Sequence, residues 1–325
     1  MKATAVAPSN IAFTKYWGRK DETLRLPENG SISMCLSNLL TTTTVEFSSK
    51  YKKDQINIED PERIIKHLDR IRNLAALRKM AGFEYKARVV SNNNFPSGTG
   101  LSSSASGFAA LTLAACAAAG LKLSEKELSI LARLGSGSAC RSIPSGFVEW
   151  LDGDTSETSY AKTIFPADYW DIADIVAVVS EGKKEVSTSK GQQTAFSSPF
   201  MQTRLKNMPK KNALIKKLIQ EKKFKQFGEE LEAEALELHT IMLTQRPALI
   251  YWTPGTLRIM KLVSKWRTEG LPVYFTINTG QDIHLICEGK NVEKVKNKLK
   301  ELDFVKEIIV NIPSEGTRLT NAHLF

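Results

Sequence analysis

Cysteine and histidine are scarce in this chain of 325 residues, and neither is spaced like the ligands of a metal site. The four residues of each type are Cys35, Cys116, Cys140, Cys287, His67, His239, His284 and His323. No two cysteines form a Cys-x-x-Cys pair, so the sequence contains no legible zinc site. We expect these residues to lie in the core or on the surface rather than to bind metal. A single disulfide would fit a hyperthermophilic source, in which intracellular disulfides occur.

The chain also lacks a segment suited to crossing a membrane. Its most apolar run, residues 105–123, is built mainly from alanine and includes Ser106 and Thr112, a composition that favours close packing inside a protein. The N-terminal segment 1–10 is short and is interrupted by Pro8, so it does not match a secretory signal. The sequence therefore predicts a cytoplasmic protein that does not contact membranes.

What the chain does have is the composition of a globular protein with excess positive charge. A hydrophobic fraction of 42% and a charged fraction of 25% suit two packed domains. The net charge of +10 favours anionic partners, either a phosphorylated metabolite or a nucleic acid. The lysine-rich stretches 50–53, 209–223 and 290–300 fit solvated faces of loops and helices, so charge alone does not separate these two kinds of partner.

The secondary-structure signals predict an α+β protein. Alternating apolar and β-branched residues indicate strands up to about residue 49, and a helix is expected from Pro61 to Gly82. Ser124 and Glu127 form a capping-box signature, and Thr253 followed by Pro254 marks another helix start. Later helices are predicted at 212–223, 227–243, 254–267 and 292–299, and later strands at 174–180, 273–277, 283–287 and 305–310. We place the domains at 1–180 and 181–325.

The most informative segment is the glycine- and serine-rich loop that precedes the alanine-rich helix. Gly98 and Gly100 allow successive backbone N–H groups to converge on phosphate oxygens. The helix that begins near Ser102 directs its unpaired N–H groups and the positive end of its dipole toward the same anion. This loop therefore predicts a nucleotide-phosphate site, with an ordinary serine-capped helix as the alternative.

Three further segments combine cations with hydroxyl groups. The segment 15–20 reads Lys-Tyr-Trp-Gly-Arg-Lys, and the segment 135–142 reads Gly-Ser-Gly-Ser-Ala-Cys-Arg-Ser. In the second of these, Arg141 can bind a carboxylate or phosphate with its fork of donors. The segment 183–191 again mixes lysines with hydroxyl groups. Because active sites draw residues from several loops of one scaffold, we expect these segments to line one anion-binding cleft together with the glycine loop.

These motifs resemble the diphosphomevalonate decarboxylase family, which belongs to the GHMP kinase superfamily of small-metabolite kinases. The superfamily phosphate-loop pattern Pro-x-x-x-Gly-Leu-x-Ser-Ser-Ala is matched from Pro96 to Ala105. The decarboxylase family is distinguished by the motifs at 15–18 and 135–142. The similarity continues through 183–191, 239–259 and 276–285, so it covers most of the chain.

The resemblance implies a two-domain GHMP kinase fold with ATP and substrate bound between the domains. The N-terminal domain would be ribosomal-protein-like with a left-handed βαβ crossover, and the C-terminal domain would be ferredoxin-like. The implied reaction transfers the γ-phosphate of ATP to the tertiary 3-hydroxyl of mevalonate 5-diphosphate. That phosphate and CO₂ then leave, which yields isopentenyl diphosphate. Mg²⁺ is expected to accompany ATP, and a homodimer is common in the family.

The resemblance also assigns site residues through the matching motif positions. The catalytic candidates are Lys15, Arg141, Asn278 and Asp282, with Lys15 expected to stabilise charge near the transferred group. ATP is expected to contact Pro96, Gly98, Gly100, Leu101, Ser102, Ser103 and Ser104. The substrate is expected to contact Tyr16, Trp17, Gly18, Arg19, Arg63, Ser136, Gly137, Ser138, Ala139, Cys140, Arg141, Thr188 and Arg204.

This chain departs from the family in the hairpin that follows Ile277. The family sequence Asp-Ala-Gly-Pro-Asn corresponds here to residues 278–282, Asn-Thr-Gly-Gln-Asp, so Asn278 occupies the position of the catalytic Asp. An asparagine cannot accept a proton as a base. We hypothesise that Asp282 turns into the cleft and orients or deprotonates the 3-hydroxyl; the alternative is a solvent-facing turn aspartate. Arg19 replaces a family lysine and Thr188 a family serine, changes that keep the charge and the hydroxyl.

Two other functions stay open. Asn278 is compatible with a phosphomevalonate decarboxylase or with a homologue that retains only one half-reaction. The net charge and the ribosomal-protein-like domain would also suit a nucleic-acid-binding protein. However, the aromatic residues lie mostly in apolar runs and the cations lie along helices among acidic residues, unlike a basic stripe interleaved with aromatics. We therefore expect a small-molecule substrate and no nucleic acid.

Overall fold

The structure is a computed structural model that describes residues 1–58, 60–77, 85–96, 98–179, 182 and 185–325. The predicted helix end at Gly82 lies outside the described residues, as do Lys183 and Lys184 of the predicted anion-binding segment. In the described part of the chain, long strands dominate the first half and long helices the second.

The strands are β1 (Lys2–Ala12), β2 (Arg19–Asp21), β3 (Leu26–Pro27), β4 (Ser31–Ser48), β5 (Gln55–Ile56), β6 (Lys86–Asn93), β7 (Phe147–Trp150), β8 (Ala161–Phe165), β9 (Ile172–Val178), β10 (Val273–Thr276), β11 (Ile283–Glu288), β12 (Glu307–Asn311) and β13 (Arg318–Thr320). The helices are α1 (Pro61–Leu77), α2 (Ser103–Ala118), α3 (Glu125–Gly135), α4 (Thr188–Gln192), α5 (Met201–Gln220), α6 (Phe224–Thr244), α7 (Pro254–Thr268) and α8 (Val292–Lys300).

A seven-stranded sheet forms the first half of the molecule. The order β13-β1-β4-β6-β5 makes its main path, and β7 and β8 extend from β4. The 18-residue strand β4 pairs with β1, β6 and β7, so it is the organising element of this sheet. Helix α2 packs against β1 and β4. Its many alanines allow that close approach, because small side chains bring a helix backbone near the sheet.

A second sheet of four strands has the order β10-β11-β9-β12, and all of its pairs are antiparallel. One face, which includes Ile175 and Leu285, packs on residues of α7 and α8. The opposite face, which includes Val176 and Ile286, joins an apolar cluster with Met34 of β4. That shared cluster fixes the two sheets against each other, so residues from both halves can form one site.

The strand β9 shows that the two sheets are interleaved along the chain. It precedes residue 180 but pairs with β11 and β12 of the four-stranded sheet. Conversely, β13 near the C-terminus pairs with β1 of the first sheet. The division of the chain at residue 180 stays a prediction.

Local signals located several helix ends correctly. Ser124 and Glu127 form the expected capping box at α3, and Thr253 caps α7 with Pro254 at its start. The helix expected at 212–223 instead begins at Met201 and continues through Pro209. This prediction was wrong at its N-terminal end because a proline ordinarily interrupts a helix, whereas here buried contacts on either side stabilise it.

The cysteines of this chain are all buried free thiols. Cys35 and Cys140 belong to a small apolar cluster with Trp150, so they act as core residues. Across the described helices, none combines the length and the apolar character that a membrane span requires.

Gly228 is a residue of α6 that lies close against the four-stranded sheet. A Cβ atom at this position would overlap the ring of Tyr274 on β10. By contrast, a Cβ atom at Gly107, which lies in α2, would have no atom within 4 Å. The two glycines therefore make a matched pair of helical positions.

We expect Gly228→Ala to lower the free energy of unfolding by about 1–3 kcal/mol, because the added methyl group must displace the tyrosine ring. Gly107→Ala should leave stability unchanged or raise it by up to about 1 kcal/mol, since alanine favours helix. Urea denaturation of both variants measures the difference. Equal stability of Gly228→Ala and the wild type would contradict this packing.

Candidate active site

A cavity of about 440 Å³ brings together residues from every segment singled out in the sequence. The expected residues that line it are Lys15, Tyr16, Arg19, Arg63, Gly98, Gly100, Ser102, Ser103, Ser104, Ser136, Gly137, Ser138, Arg141, Thr188 and Asn278. They come from loops and from the ends of strands and helices in both halves of the chain. Four of these side chains are cationic, so the cavity is suited to an anionic ligand.

Other lining residues were missed by sequence reasoning: Ala12, Arg25, Asp60, Ser187, Ser189, Gln192, Leu238 and Thr279. Ser187 and Ser189 lie inside the segment 183–191, whose mixture of lysines and hydroxyl groups already indicated an anion-binding role for the segment as a whole. Arg25 carried no such signal. It reaches the cavity because the short β2–β3 hairpin returns the chain toward Arg19.

Several expected substrate residues support the site without lining it. Trp17 is fully buried in an apolar cluster, where its indole N–H donates to Gln245. Ala139 and Cys140 are fully buried in the core behind Ser138. Gly18 has a φ of 85°, which a glycine adopts readily, and it lies at the turn that separates Tyr16 from Arg19.

Two expected ATP contacts also fall outside the lining. Leu101 is buried in the apolar cluster between the sheets, so it anchors the glycine loop from behind. Pro96 begins the loop and is likewise not among the lining residues. Their role in the phosphate-loop pattern is therefore to place the loop.

The structure corrects the expectation that Arg204 contacts the substrate. This arginine is 1% exposed, and its guanidinium donates to Glu234 at 2.5 Å and to Glu237 at 2.9 Å. It also donates to the backbone carbonyl of Lys15 at 2.9 Å. Because these carboxylates already neutralise it, Arg204 positions Lys15 rather than binding an anion in the cavity.

The hypothesis that Asp282 turns into the cleft is not supported by the geometry. Its side chain is 2% exposed, and Oδ1 accepts a hydrogen bond from the backbone N–H of Val179 at 3.0 Å. Asp282 is not among the residues that line the cavity. The reason is positional: it directly precedes β11, and the strand pairing with β9 directs it toward the end of that strand.

The glycine loop is held against the hairpin 277–283 by backbone contact. Gly98 and Gly100 have φ values of 83° and 111°, in the region that favours glycine. A Cβ atom on Gly100 would lie 2.6 Å from the Cα of Gly280, and the N–H of Gln281 donates to the carbonyl of Thr99 at 3.2 Å. The two loops approach each other this closely only because neither Gly100 nor Gly280 carries a side chain.

Lys15 is the central cation of the cavity. Its Nζ donates to Ala12 O at 2.6 Å, Thr276 Oγ1 at 2.7 Å and Asn278 Oδ1 at 3.3 Å. Burial lowers the pKa of Lys15 from its usual 10.5 to about 7, partly opposed by the negative charge of Glu234. An ammonium group bound only by neutral acceptors is poised to attract an anion.

The backbone of Lys15 is fixed on both sides by a buried ion pair. Its N–H donates to Glu234 Oε1 at 2.9 Å, and its carbonyl accepts from Arg204. Asn29 donates to the same carbonyl at 3.0 Å. Since Arg204 and Glu234 come from α5 and α6, the helices of the second half place a lysine of the first.

Asn278 connects Lys15 with the glycine loop. Its amide oxygen accepts from Lys15, and its amide nitrogen donates to Ser102 Oγ at 3.2 Å. Its backbone carbonyl lies 3.1 Å from His239 Nε2, and burial lowers the pKa of that imidazole to about 3. A neutral His239 therefore donates to the carbonyl and holds the Asn278 backbone in place.

Arg141 is a second buried cation that lines the cavity. Its guanidinium donates to Ser31 Oγ at 2.8 Å and to Asn10 Oδ1 at 3.2 Å, and it lies 5.6 Å from the centre of the Trp150 ring. Asn10 in turn donates to Ser142 Oγ at 2.8 Å. Neutral partners fix the orientation of the guanidinium and leave its charge available to a ligand.

A second cavity of about 390 Å³ adjoins the first and shares Asp60, Arg63, Ser103 and Ser104 with it. Its remaining lining combines polar and apolar groups: Thr43, Asn57, Ile58, Ile64, Ser91, Asn93, Gly107, Phe108 and Leu111. An elongated ligand could therefore extend from one cavity to the other past the start of α2.

Within the described residues, no three His, Cys, Asp or Glu side chains stand close enough to bind a metal ion together.

Comparison with known protein families identifies both halves of the chain. Residues 7–161 match the diphosphomevalonate decarboxylase-like N-terminal domain, and residues 174–317 match the mevalonate 5-diphosphate decarboxylase C-terminal domain. The gap between the two matches is only residues 162–173, which include most of β8 and the first two residues of β9, so nearly the whole chain is accounted for.

Individual proteins that are similar to this chain belong to the same family. The diphosphomevalonate decarboxylase of Candida albicans is 34% identical over 91% of this chain and 87% of its own length. The crystal structure of mevalonate diphosphate decarboxylase from Staphylococcus aureus is 36% identical, with a TM-score of 0.91 over 98% of both chains. The structure of MDDEF in complex with MVAPP, AMPPCP and magnesium is also 36% identical, with a TM-score of 0.90 over 99% of both chains. These matches confirm a mixed α/β two-domain fold.

The burial of Lys15 predicts a characteristic dependence of stability on pH. Its pKa in the folded protein, about 7, lies below the usual value of 10.5 that applies to the unfolded chain. Between these values the unfolded chain holds a proton that the folded protein has released, so the free energy of unfolding rises with pH.

We expect the stability of the wild type relative to Lys15→Met to increase by on the order of 2 kcal/mol between pH 6 and pH 9. Urea denaturation of both proteins across this range measures it, and the comparison cancels the titration of other groups. A difference that does not change with pH would contradict the lowered pKa.

Proposed function

Because this chain belongs to the diphosphomevalonate decarboxylase family, we propose that it catalyses the ATP-dependent decarboxylation of (R)-5-diphosphomevalonate to isopentenyl diphosphate. The observation that carries this proposal is the convergence of the glycine loop, Lys15 and Arg141 on one cationic cavity. Such a cavity can hold a triphosphate and a smaller polyanion side by side.

The chemistry follows from the structure of the substrate. The tertiary 3-hydroxyl oxygen attacks the γ-phosphorus of ATP, the bond to the β-phosphate oxygen breaks, and ADP leaves. The hydroxyl proton passes to an oxygen of the transferred phosphoryl group as the new bond forms. The hydroxyl becomes a phosphate ester, which is a far better leaving group than hydroxide. When the C3–O bond breaks, the electron pair of the C–COO⁻ bond forms the alkene, and CO₂ and phosphate are released.

Substrate binding is assigned to the wall that carries Tyr16, Arg19, Ser136, Ser138 and Arg141. These side chains supply the fork-shaped and hydroxyl donors that carboxylate and phosphate oxygens require. Arg19 Nε donates to the Tyr16 hydroxyl at 2.8 Å, so the two groups are fixed relative to each other. Thr188 and Arg63, which also line the cavity, add a hydroxyl and a further cation to this set.

ATP is assigned to the glycine loop and the second cavity. Ser102, Ser103 and Ser104 lie at the start of α2, where the free N–H groups of the helix favour phosphate. The neighbouring cavity, with its mixed polar and apolar lining, suits the nucleoside. ATP brings Mg²⁺ with it, and that ion neutralises charge on the phosphates during transfer.

We assign the orientation of the 3-hydroxyl to Asn278 and Lys15 rather than to Asp282. Phosphoryl transfer has a loose transition state that depends chiefly on positioning and charge stabilisation. An asparagine can position a hydroxyl although it cannot remove its proton. The Lys15 ammonium group, hydrogen-bonded to Asn278, then stabilises the negative charge on the transferred phosphoryl group.

The family membership also supports the assignment of a ribosomal-protein-like N-terminal domain and a ferredoxin-like C-terminal domain. The parallel pair β5–β6, joined through α1, is consistent with the left-handed βαβ crossover of a ribosomal-protein-like domain. The antiparallel order β10-β11-β9-β12, with α7 and α8 in the connections, is consistent with a ferredoxin-like domain. A homodimer and a cytoplasmic location are further proposals on the same ground.

Incubation of the purified protein with ATP, Mg²⁺ and 5-diphosphomevalonate should release ADP and CO₂ in equal amounts. Measuring the two products separately also tests the alternatives: ADP without CO₂ would indicate a kinase that retains one half-reaction, and turnover only with 5-phosphomevalonate would indicate a monophosphate enzyme. Lys15→Met serves as the inactive control. Absence of turnover with either mevalonate phosphate would exclude the proposed function.

The roles of Asn278 and Asp282 can be separated by alanine substitution. Asn278→Ala should lower kcat by about 100-fold, because the hydroxyl loses its fixed orientation. Asp282→Ala should leave kcat within about threefold of the wild type and lower thermal stability, since it removes an acceptor for the Val179 N–H. If Asp282→Ala instead lowered kcat by about 100-fold and Asn278→Ala left it nearly unchanged, the catalytic role would belong to Asp282.

A further inference from the structure

Arg25 is a cavity residue that the proposed substrate and ATP contacts do not use. It lies in the turn between β2 and β3, close to Arg19 on the same hairpin. It lines the first cavity but not the second, whereas Arg63 lines both. Arg25 therefore belongs to the side of the site assigned to the substrate and not to the side assigned to the nucleoside.

The backbone of Arg25 adopts an unusual conformation. Its φ is 51°, in the left-handed region that residues with a side chain rarely occupy. Residues held in this region tend to cluster at ligand-binding sites, where the surrounding structure compensates for the strain. Here the conformation brings the guanidinium beneath the end of α3, where Nε donates to the carbonyl of Leu134 at 3.2 Å.

The guanidinium of Arg25 is only partly satisfied by the protein. Its Nη1 atom is buried and has no hydrogen-bond partner among the residues that the structure describes. A buried donor without an acceptor is unfavourable, and it is more so when it carries charge. A ligand oxygen in the cavity would supply the missing acceptor.

The electrostatic surroundings point to the same kind of ligand. Burial, and next the positive charge of Arg19, lower the pKa of Arg25. Two acidic groups lie nearby: Glu22 pairs with Arg19 at 2.5 Å, and Asp60, which also lines the cavity, accepts from the backbone N–H of Arg63 at 3.3 Å. The concentration of guanidinium groups at this end of the cavity exceeds its negative charge, so a multiply charged anion would be bound strongly.

We propose that Arg25 binds the terminal phosphate of the substrate's diphosphate, together with Arg19, and thereby makes the site selective for a diphosphate over a monophosphate. This inference rests on the proposed function. A monophosphate has one anionic group fewer and cannot occupy both the Arg141 wall and the Arg25 end of the cavity to the same extent.

Arg70 provides a matched control for Arg25. Its Nη1 donates to the same carbonyl of Leu134, at 2.8 Å, but Arg70 does not line the cavity. Arg25→Gln and Arg70→Gln each remove one cation and one hydrogen bond to Leu134. Only the first removes a cation from the cavity wall.

The experiment measures kcat and KM for 5-diphosphomevalonate, 5-phosphomevalonate and ATP in the wild type and both variants. Arg25→Gln should raise KM for the diphosphate by about 10- to 100-fold, as expected for a lost charge-assisted contact, with kcat within about threefold. KM for ATP and for the monophosphate should change by less than about threefold. Arg70→Gln should leave all three KM values unchanged.

Arg25→Lys keeps the charge in case the glutamine variant folds poorly, and it should show an intermediate KM for the diphosphate. Thermal melting identifies any loss of folding. Equal effects of Arg25→Gln and Arg70→Gln, an unchanged preference for the diphosphate, or a rise in KM for ATP instead would each overturn the proposal.

Calorimetric binding of inorganic pyrophosphate separates this inference from the proposed function. If the wild type turned over neither mevalonate phosphate, the proposed function would be wrong, but pyrophosphate binding would still test the role of Arg25. Pyrophosphate should then bind the wild type and Arg70→Gln equally and bind Arg25→Gln at least tenfold more weakly. Equal binding to all three proteins would overturn the role of Arg25 independently of any activity.

Discussion

The buried ammonium group of Lys15 joins the two halves of this protein at the site. Its side chain donates to Ala12 in the first half and to Thr276 and Asn278 in the second. Its backbone is held by Glu234 and Arg204, which belong to helices of the second half. Breaking a buried ion pair of this kind typically costs about 3–5 kcal/mol, so the position of Lys15 is strongly determined.

The cavity is lined by more cationic than anionic side chains, so most of its negative charge must come from the ligands. Among the described lining residues, Asp60 carries the one carboxylate. Arg141 and Lys15 are buried against neutral acceptors, and the carboxylates near the site are used to hold the protein in place: Glu234 on Arg204 and Glu22 on Arg19. Such a site is unfavourable when empty, because like charges repel and burial removes their hydration. A polyanionic substrate and ATP relieve both costs on binding.

Asn278 places a neutral amide beside the ammonium group of Lys15. This amide forms the hydrogen bonds to Lys15 and Ser102 that fix the hairpin against the glycine loop. What it lacks is a negative charge beside the ammonium group, and burial therefore lowers the pKa of Lys15 to about 7. Because phosphoryl transfer depends mainly on positioning and on charge stabilisation, a neutral amide at position 278 is compatible with transfer of the γ-phosphate, the first step of the proposed reaction.

Local sequence determined the elements whose signals lie within a few residues: the glycine loop before α2, the caps of α3 and α7, and the clustering of cations and hydroxyl groups in the segments that line the cavity. The same motifs were sufficient to predict the family.

Tertiary structure alone determined which charged residues face the ligand. Arg204 and Arg25 are both single arginines in the sequence, yet carboxylates from α6 neutralise the first, and a two-strand hairpin brings the second to the cavity wall. Likewise, Asn278 and Asp282 lie four residues apart, and only the pairing of β11 with β9 determines that the asparagine faces the cavity and the aspartate does not. The physical reason is that the partner of a charged side chain is set by contacts between segments far apart in the chain, which local patterns do not encode.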